Sequence, residues 1–285
     1  MYFFHGDPLI TADVVVVGAD GANGNVHAFD RSTGKQRWKY AAGRGVSAAI
    51  SGLGRHAYAA SLEGQLLCFD VDSGALRWTF PLKLPGWEGP ATAADRVFAG
   101  AADGSLSALN AETGREEWRV NIGVPITTSV SASATDLYVG AADGAVYRVE
   151  SRSGAVLSSR KLDVNLKPRG SLVRTGDSLL VLLIDEAAKY RALVSVDRAL
   201  DRVHWRLNAS NSWSTSRVFL WGDMVVLGTP SGEVVAYCRD DGVKAWSCTV
   251  SGTIRVIGGS EDTLYVGTTE GTLSAVRFPG RWRPR

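Results

Sequence analysis

The sequence predicts an all-β fold, a single seven-bladed β-propeller of four-stranded antiparallel blades, and the first observation behind this is a repeat. A glycine and a tryptophan four positions apart recur along the 285 residues. The intact pairs are Gly34 with Trp38, Gly74 with Trp78, Gly114 with Trp118 and Gly242 with Trp246. A period of about 40 residues that holds several short strands is typical of propellers.

Three further copies of the repeat are altered. Ser158 replaces the tryptophan after Gly154, Asp201 replaces the glycine before Trp205, and the copy around Gly280 and Trp282 is truncated. Seven copies account for nearly the whole chain, so we expect one domain, residues 1–285. The expected blades are 7–45, 46–85, 86–123, 124–163, 164–209, 210–250 and 251–285, with residues 1–6 closing the last blade by strand pairing.

The second observation is the strand pattern, which is clearest in the third copy. Strands are predicted at 91–93, 96–100, 105–110 and 115–120, where apolar residues alternate with period two. Innermost strands are expected to be built of small residues, because blades crowd around the axis. The runs that fit are 47–49, 91–93 and 127–129. Residues 186–190, in the longer fifth copy, are interpreted as a loop or helical turn.

Turn chemistry is the third observation. Turns between second and third strands carry a glycine that supplies the positive φ of a tight hairpin, as in Asp103-Gly104 and Asp143-Gly144. The turn between third and fourth strands begins with an Asp or Asn that can accept hydrogen bonds from nearby backbone N–H groups. These residues are Asp30, Asp70, Asn110 and Asp197.

Composition and charge narrow the classes of function. A net charge of +2 with 45% apolar residues fits a folded globular chain without the basic excess of a nucleic-acid binder. The sequence contains no run of about 18 apolar residues, so we expect no membrane span. We also expect the protein to be a monomer. Residues 1–7 lack the features of a secretory signal. The sequence as it stands therefore predicts the cytoplasm, and an extracytoplasmic protein if a leader precedes it.

No residue pattern predicts catalysis, a metal or a cofactor. Residues 20–25 resemble a calcium loop but lack its alternating acids, and we interpret them as a lengthened turn. The sequence has no serine elbow of the Gly-x-Ser-x-Gly kind. The histidines have no zinc-binding spacing and are His5, His27, His56 and His204.

The pattern Ala-x-Asp/Asn-x-x-Thr-Gly-x-x-x-Trp, seen at Ala28 to Trp38 and Ala108 to Trp118, resembles the tryptophan-docking motif of quinoprotein-type (PQQ-like) β-propellers. The resemblance implies that each tryptophan stacks on the glycine turn of a neighbouring blade and forms a structural belt. The belt would be weakest at Ser158 and in the last copy. Its members would be Trp38, Trp78, Trp118, Trp205 and Trp246.

The same resemblance implies three functional classes: quinone-dependent dehydrogenases, BamB-like scaffolds of outer-membrane assembly, and sensor modules, including those fused to bacterial Ser/Thr kinases. The dehydrogenases carry a catalytic Asp, calcium ligands and usually adjacent cysteines, and this sequence has no Cys-Cys pair. We therefore expect a non-enzymatic protein-interaction scaffold with no cofactor. The envelope and sensor roles both remain open, and the alternative is a quinone-dependent or other loop-borne enzyme.

The loops that lead into the innermost strands are expected to ring one mouth of the axial channel. Two exposed tryptophans and several cations there would bind a protein partner, or a small anionic or carbohydrate ligand. The alternative is that these tryptophans pack between blades and the cations are ordinary surface charge. The candidate residues are Arg44, Trp87, Glu88, Lys167, Arg169, Asn211, Trp213 and Arg255. Function is also expected where the copies disagree, at 185–190 and at Ser158.

Overall fold

The computed structural model describes residues 6–20, 24–46, 48–82, 89–185, 187, 190–210, 213, 218–259 and 262–277. Within these ranges the regular structure is entirely β, and the strands form seven antiparallel sheets in sequence order. Each sheet is a meander, because every strand pairs with the next one along the chain. The architecture is the seven-bladed β-propeller that the repeat predicts.

The chain divides into two compact units, Met1–Lys161 and Leu162–Arg285. The first unit holds blades 1 to 4. Blade 1 comprises β1 (Leu9–Ile10), β2 (Val14–Gly18), β3 (Asn25–Asp30) and β4 (Gln36–Ala41), and blade 2 comprises β5 (Ser51–Leu53), β6 (His56–Ser61), β7 (Gln65–Asp70) and β8 (Leu76–Pro81). Blade 3 comprises β9 (Ala91–Ala93), β10 (Arg96–Gly100), β11 (Ser105–Asn110) and β12 (Glu116–Asn121), and blade 4 comprises β13 (Ser131–Ala132), β14 (Asp136–Gly140), β15 (Ala145–Glu150) and β16 (Val156–Lys161).

The second unit holds blades 5 to 7. Blade 5 comprises β17 (Lys167–Thr175), β18 (Ser178–Ile184), β19 (Tyr190–Asp197) and β20 (Val203–Ser210), and blade 6 comprises β21 (Phe219–Trp221), β22 (Met224–Gly228), β23 (Glu233–Cys238) and β24 (Lys244–Thr249). Blade 7 has three strands in the described part of the chain: β25 (Ile254–Gly259), β26 (Thr263–Thr268) and β27 (Leu273–Arg277). The expected closing strand at residues 1–6 lies almost wholly outside the described residues.

Blade 3 confirms the strand pattern of the repeat, since β9, β10 and β11 have the predicted bounds and β12 begins one residue later than predicted. The predicted first strands at 47–49 and 127–129 are wrong, because β5 and β13 begin at Ser51 and Ser131. In blade 4 the Thr128 hydroxyl accepts the hydrogen bond of the Gly140 N–H. This side-chain contact lies between two stretches of backbone pairing, the bridge of Ile126 with Ala141 and the ladder that starts at Ser131.

A register shift recurs between the third and fourth strands of blades 1 to 6. In blade 1, Ala28 pairs with Trp38 and Phe29 pairs with Gln36, so Arg37 is an extra residue. Such a bulge increases the local twist of the strand. The same shift occurs in the other five blades.

Within each unit, consecutive blades share buried apolar clusters. Strands β2 and β3, for example, contribute Val16 and Val26 to a cluster completed by Ala57 and Phe69 of blade 2. Blade 2, which has a neighbouring blade on either side within its unit, is apolar on both faces of its middle strands, as Ala57 and Tyr58 of β6 show. Most of the core therefore lies between sheets, and the strand ends and loops are left to carry polar residues.

Candidate functional site

Four tryptophans of the repeat make one and the same contact with the following blade. The indole Nε1 of Trp38 donates a hydrogen bond of 2.8 Å to the carbonyl of Val71. A Cβ on Gly74 would lie 2.5 Å from the indole, so the glycine is needed where the ring docks. The other three pairs of donor and carbonyl are Trp78 with Ala111 (3.1 Å), Trp118 with Ser151 (3.0 Å) and Trp205 with Arg239 (2.8 Å).

Trp246 makes a different contact. Its Nε1 lies 3.2 Å from the sulfur of Met224, and its ring meets Trp221 edge to face at 6.1 Å between centroids. The glycine that would complete its repeat, Gly280, lies outside the described residues.

The altered fourth copy also changes the residue opposite the tryptophan position. Trp38, Trp78 and Trp118 pair across the sheet with Ala28, Cys68 and Ala108. Ser158 instead pairs with Arg148, so a small side chain in the fourth strand faces a long one in the third. An indole opposite a small residue has room to lie flat on the sheet.

The motif acids belong to the turns. Asp30 accepts hydrogen bonds from Ser32, Thr33 and Arg37, and these hold its pKa well below the ordinary range. Asp70 accepts hydrogen bonds from Arg77 and Ser73 in the same way. The bond from Arg77 is the largest cause of its pKa, which also lies well below the ordinary range. Acids that are kept ionised by turn contacts stabilise local backbone, and we do not assign them a catalytic role.

The loops that enter the first strand lie at the same end of a blade as the turn between its second and third strands, because each blade is a meander. In the first unit, Arg44 follows β4 and is exposed. In the second unit, Lys167 opens β17 and is half-buried, Arg169 is exposed, and Arg255 is the exposed extra residue of a bulge in β25. Trp87, Glu88 and Asn211 lie outside the described residues.

Trp213 differs from the expectation of an exposed indole. It is 3% exposed and lies in a buried cluster with Trp205, Leu182 and Val225. The apolar area of an indole is large, so burial between blades 5 and 6 is favoured over display at a loop. The alternative interpretation of this residue, packing between blades, describes its position.

Blade 5 carries a cleft of about 600 Å³ at the end where the chain enters β17. Two segments form it that are far apart in sequence: the loop before β17 and the outer half of β20. The end of β18 and the beginning of β19 supply the rest, through Asp185, Tyr190 and Arg191. The lining residues are Asp163, Asn165, Leu166, Asp185, Tyr190, Arg191, Arg206 and Asn208.

Hydrogen bonds fix the walls of this cleft. Asp163 Oδ1 accepts from the backbone N–H groups of Asn165 (2.7 Å) and Leu166 (2.9 Å), and Arg206 donates to its other oxygen. Burial alone would raise the pKa of Asp163, but these three hydrogen bonds outweigh burial and the pKa lies below its ordinary value. Arg206 also donates through Nε to Asn208 Oδ1 at 2.7 Å.

A second acid and a second guanidinium, Asp185 and Arg191, also line the cleft. Asp185 Oδ1 accepts from the Tyr190 N–H at 3.0 Å, which ties together the two ends of the inserted turn. Burial lowers the pKa of Arg191, and the nearby Asp185 charge opposes that shift.

Blades 2 and 3 enclose a second cleft, of about 540 Å³, at the end where their third strands turn into their fourth. Its walls include Asp70, Arg77 and Asn110 of the repeated turns, together with Tyr58 and His56. Most of these polar groups already serve the turn or the neighbouring carbonyl, as the Asp70–Arg77 pair at 2.7 Å shows.

In the described parts of the chain, no three or more metal-binding side chains come together. Nor does any helix in those parts have the length and apolar character to cross a membrane.

Comparison with known proteins identifies the repeat. A family model described as outer membrane protein assembly factor BamB matches residues 22–247 and again 142–281. The chain belongs to this family. The crystal structure of BamB from Moraxella catarrhalis is similar, with a TM-score of 0.74 and 20% identity over 99% of this chain and 85% of that one. The computationally designed Ika8 protein matches with a TM-score of 0.69 and 15% identity over 96% of both chains. No curated protein matches the chain.

The repeat pattern of the family predicts where the docked tryptophans and the turns lie in the sequence. It does not predict the cleft of blade 5. The extra residues at 185–190 point to one side of it. Asp163, Asn165, Arg206 and Asn208 have no motif, and 43 residues separate Asp163 from its partner Arg206. A longer fifth copy is the one signal in the sequence that distinguishes this blade.

Proposed function

We propose that this chain is a non-enzymatic protein-interaction scaffold that acts, like the assembly factor of its family, in assembling proteins at the bacterial envelope. The observation that carries the proposal is the family match over residues 22–247, most of the chain. The BamB structure supports it, since 99% of this chain has a counterpart there and little is added to the shared fold.

A difference between the two ends of a blade also supports a scaffold. The docked tryptophans and the motif turns hold consecutive blades together within each unit at one end. The other end carries exposed charge, with Arg44 in the first unit and Arg169 and Arg255 in the second. Loops that are not needed for blade contacts are free to vary and to recognise partners. Cations there favour a partner with an acidic surface.

Site-specific photo-crosslinking tests the proposal. A photoreactive residue is placed at Arg169 or Arg255, and for comparison at Arg152 or Asp240, which are exposed in turns at the opposite end. In cells of the source organism we expect discrete adducts with one protein from the first pair and none from the second. Equal adducts from both pairs, or none from the first, would contradict a partner surface at this end.

Thermal denaturation with pyrroloquinoline quinone and Ca²⁺ tests the enzymatic alternative. A scaffold gives no shift in melting temperature with this pair. A shift of several degrees at micromolar quinone would overturn the proposal in favour of a quinone-dependent enzyme, because a ligand stabilises the folded state that binds it.

A further inference from the structure

The cleft of blade 5 exists because this blade is longer than its neighbour. Strands β18, β19 and β20 have 7, 8 and 8 residues, whereas the corresponding strands of blade 6 have 5, 6 and 6. In β19 the additional residues are Tyr190 and Arg191, which lie beyond the positions that pair in blade 6 and line the cleft. A polar wall made by added residues is not needed to hold the blade together.

Hydrogen bonds hold the polar side chains of the cleft in place. Asp163 fixes the entering loop and Arg206 joins that loop to β20, through its bonds to Asp163 and Asn208. Because Asn208 Oδ1 faces Arg206, the two N–H donors of the same amide point away from it. Groups held in place before binding lose little conformational entropy when a ligand arrives.

The charges of the cleft offset one another. Two carboxylates, Asp163 and Asp185, face two guanidiniums, Arg191 and Arg206. The amides of Asn165 and Asn208 add donors and acceptors without charge. A set that mixes donors and acceptors and has no net charge suits a neutral ligand whose groups both donate and accept.

An aromatic ring stands at the edge of these polar groups. Tyr190 is 59% exposed, although a large side chain of this kind is usually placed to bury more of its apolar area. A flat ring beside hydrogen-bonding side chains can cover the C–H face of a sugar ring. The volume of about 600 Å³ lies within the roughly 300–1,000 Å³ of ligand pockets.

We propose that the cleft of blade 5 binds a neutral oligosaccharide, with Tyr190 as the platform for one sugar ring and Asn165, Asp185 and Asn208 as partners of its hydroxyl groups. Because the cleft is open to solvent, a chain of sugars can run through it. This inference goes beyond the scaffold role and does not depend on it.

Isothermal titration of the whole chain with a panel of neutral hexasaccharides of glucose, mannose, galactose and N-acetylglucosamine tests the inference. At least one member is expected to bind with one-to-one stoichiometry. Tyr190→Ala and Asn208→Ala should each weaken its binding about tenfold, the size of one lost aromatic or polar contact. Tyr190→Phe keeps the ring and should bind within about threefold of the unchanged chain.

Tyr265→Ala is the matched control, because Tyr265 is also exposed (47%) but lies in blade 7. It should leave binding unchanged, and melting curves should show all variants folded. The inference is wrong if no neutral hexasaccharide gives saturable binding, or if Tyr190→Ala binds as well as Tyr265→Ala. Tighter binding of an acidic hexasaccharide such as a hyaluronan fragment would also overturn it.

Discussion

Trp78 lies so close to Gly114 of the next blade that a Cβ on this glycine would be 2.5 Å from the indole Cδ2. Gly114 also has a φ of +69°, which side chains other than glycine rarely adopt. Gly114 is therefore required for two independent reasons, the space that the indole occupies and the positive φ of the backbone. They can be separated, because other glycines of the chain have the backbone conformation without the indole.

Gly114→Ala should destabilise the fold more than Gly54→Ala. Gly54 has a φ of +59° and no atom of the described residues within 4 Å of an added Cβ, so its substitution measures backbone strain alone. We expect about 1 kcal/mol for Gly54→Ala and about 2–4 kcal/mol for Gly114→Ala, where displacement of the ring adds to strain. Urea unfolding measures both. Equal losses would mean that the indole moves aside without cost.

Removing both hydrogen-bond donors to the Ala111 carbonyl should lower the free energy of unfolding by more than the sum of the two single removals. The Tyr58 hydroxyl donates to this carbonyl at 3.0 Å and Trp78 Nε1 at 3.1 Å. Ala111 is 5% exposed, so water cannot easily replace them. Tyr58→Phe and Trp78→Phe each leave one bond, whereas the double variant leaves a buried acceptor unsatisfied. We expect a coupling energy of about 1 kcal/mol in a double-mutant cycle; strict additivity would contradict it.

Asp70→Asn should remove part of the acid sensitivity of the fold. The pKa of Asp70 is lowered, chiefly by Arg77, from an unfolded value of about 3.9. The ionised carboxylate therefore contributes stability above about pH 4 that is lost as the pH falls toward the lowered pKa. Asn is compatible with the turn, since Asn110 accepts from the Thr113 N–H in blade 3.

Urea unfolding between pH 7 and pH 2 checks this. The unchanged chain should be more stable than Asp70→Asn at pH 7, and the difference should shrink below pH 4. A difference that stays constant with pH would show that the charge of Asp70 contributes nothing.

Ala94→Gly should stabilise the fold. Ala94 is exposed and has a φ of +54°, in the turn where blades 2, 5 and 6 have Gly54, Gly176 and Gly222 with positive φ. Relief of the strain should add about 1 kcal/mol to the free energy of unfolding. The control is Ala134→Gly in the turn between the first and second strands of blade 4, which is two residues longer and has no residue with positive φ. That change should destabilise by about 0.5–1 kcal/mol, and a gain there would refute the explanation.

Local patterns were enough to predict the blades, because the turn residues and the alternation of apolar side chains act over a few residues. They placed β9, β10 and β11 at their observed bounds. Two features depend on contacts that no local pattern records. Trp213 is buried by blades 5 and 6 together. In the turn where Asp201 replaces the glycine of the repeat, the residue with positive φ is the preceding one, the buried Leu200.

The cleft of blade 5 could be predicted only in part for the same reason. The extra residues near Tyr190 are visible in the sequence, but Asp163 and Arg206 meet only once β17 to β20 have paired. Arg169 and Arg255 are exposed, but they lie within β17 and β25 and not in the loops where they are predicted, because these strands begin earlier than the repeat indicates.

The direction of the tryptophan contacts has a consequence for synthesis on the ribosome. Trp38 bonds to a carbonyl 33 residues later, and Trp78 and Trp118 do the same. An emerging blade therefore exposes its indole until the following repeat has left the exit tunnel, roughly 2–7 s later at 5–20 residues per second. Within the first unit the nascent chain is thus completed in order, each repeat covering the aromatic surface left by the one translated before it.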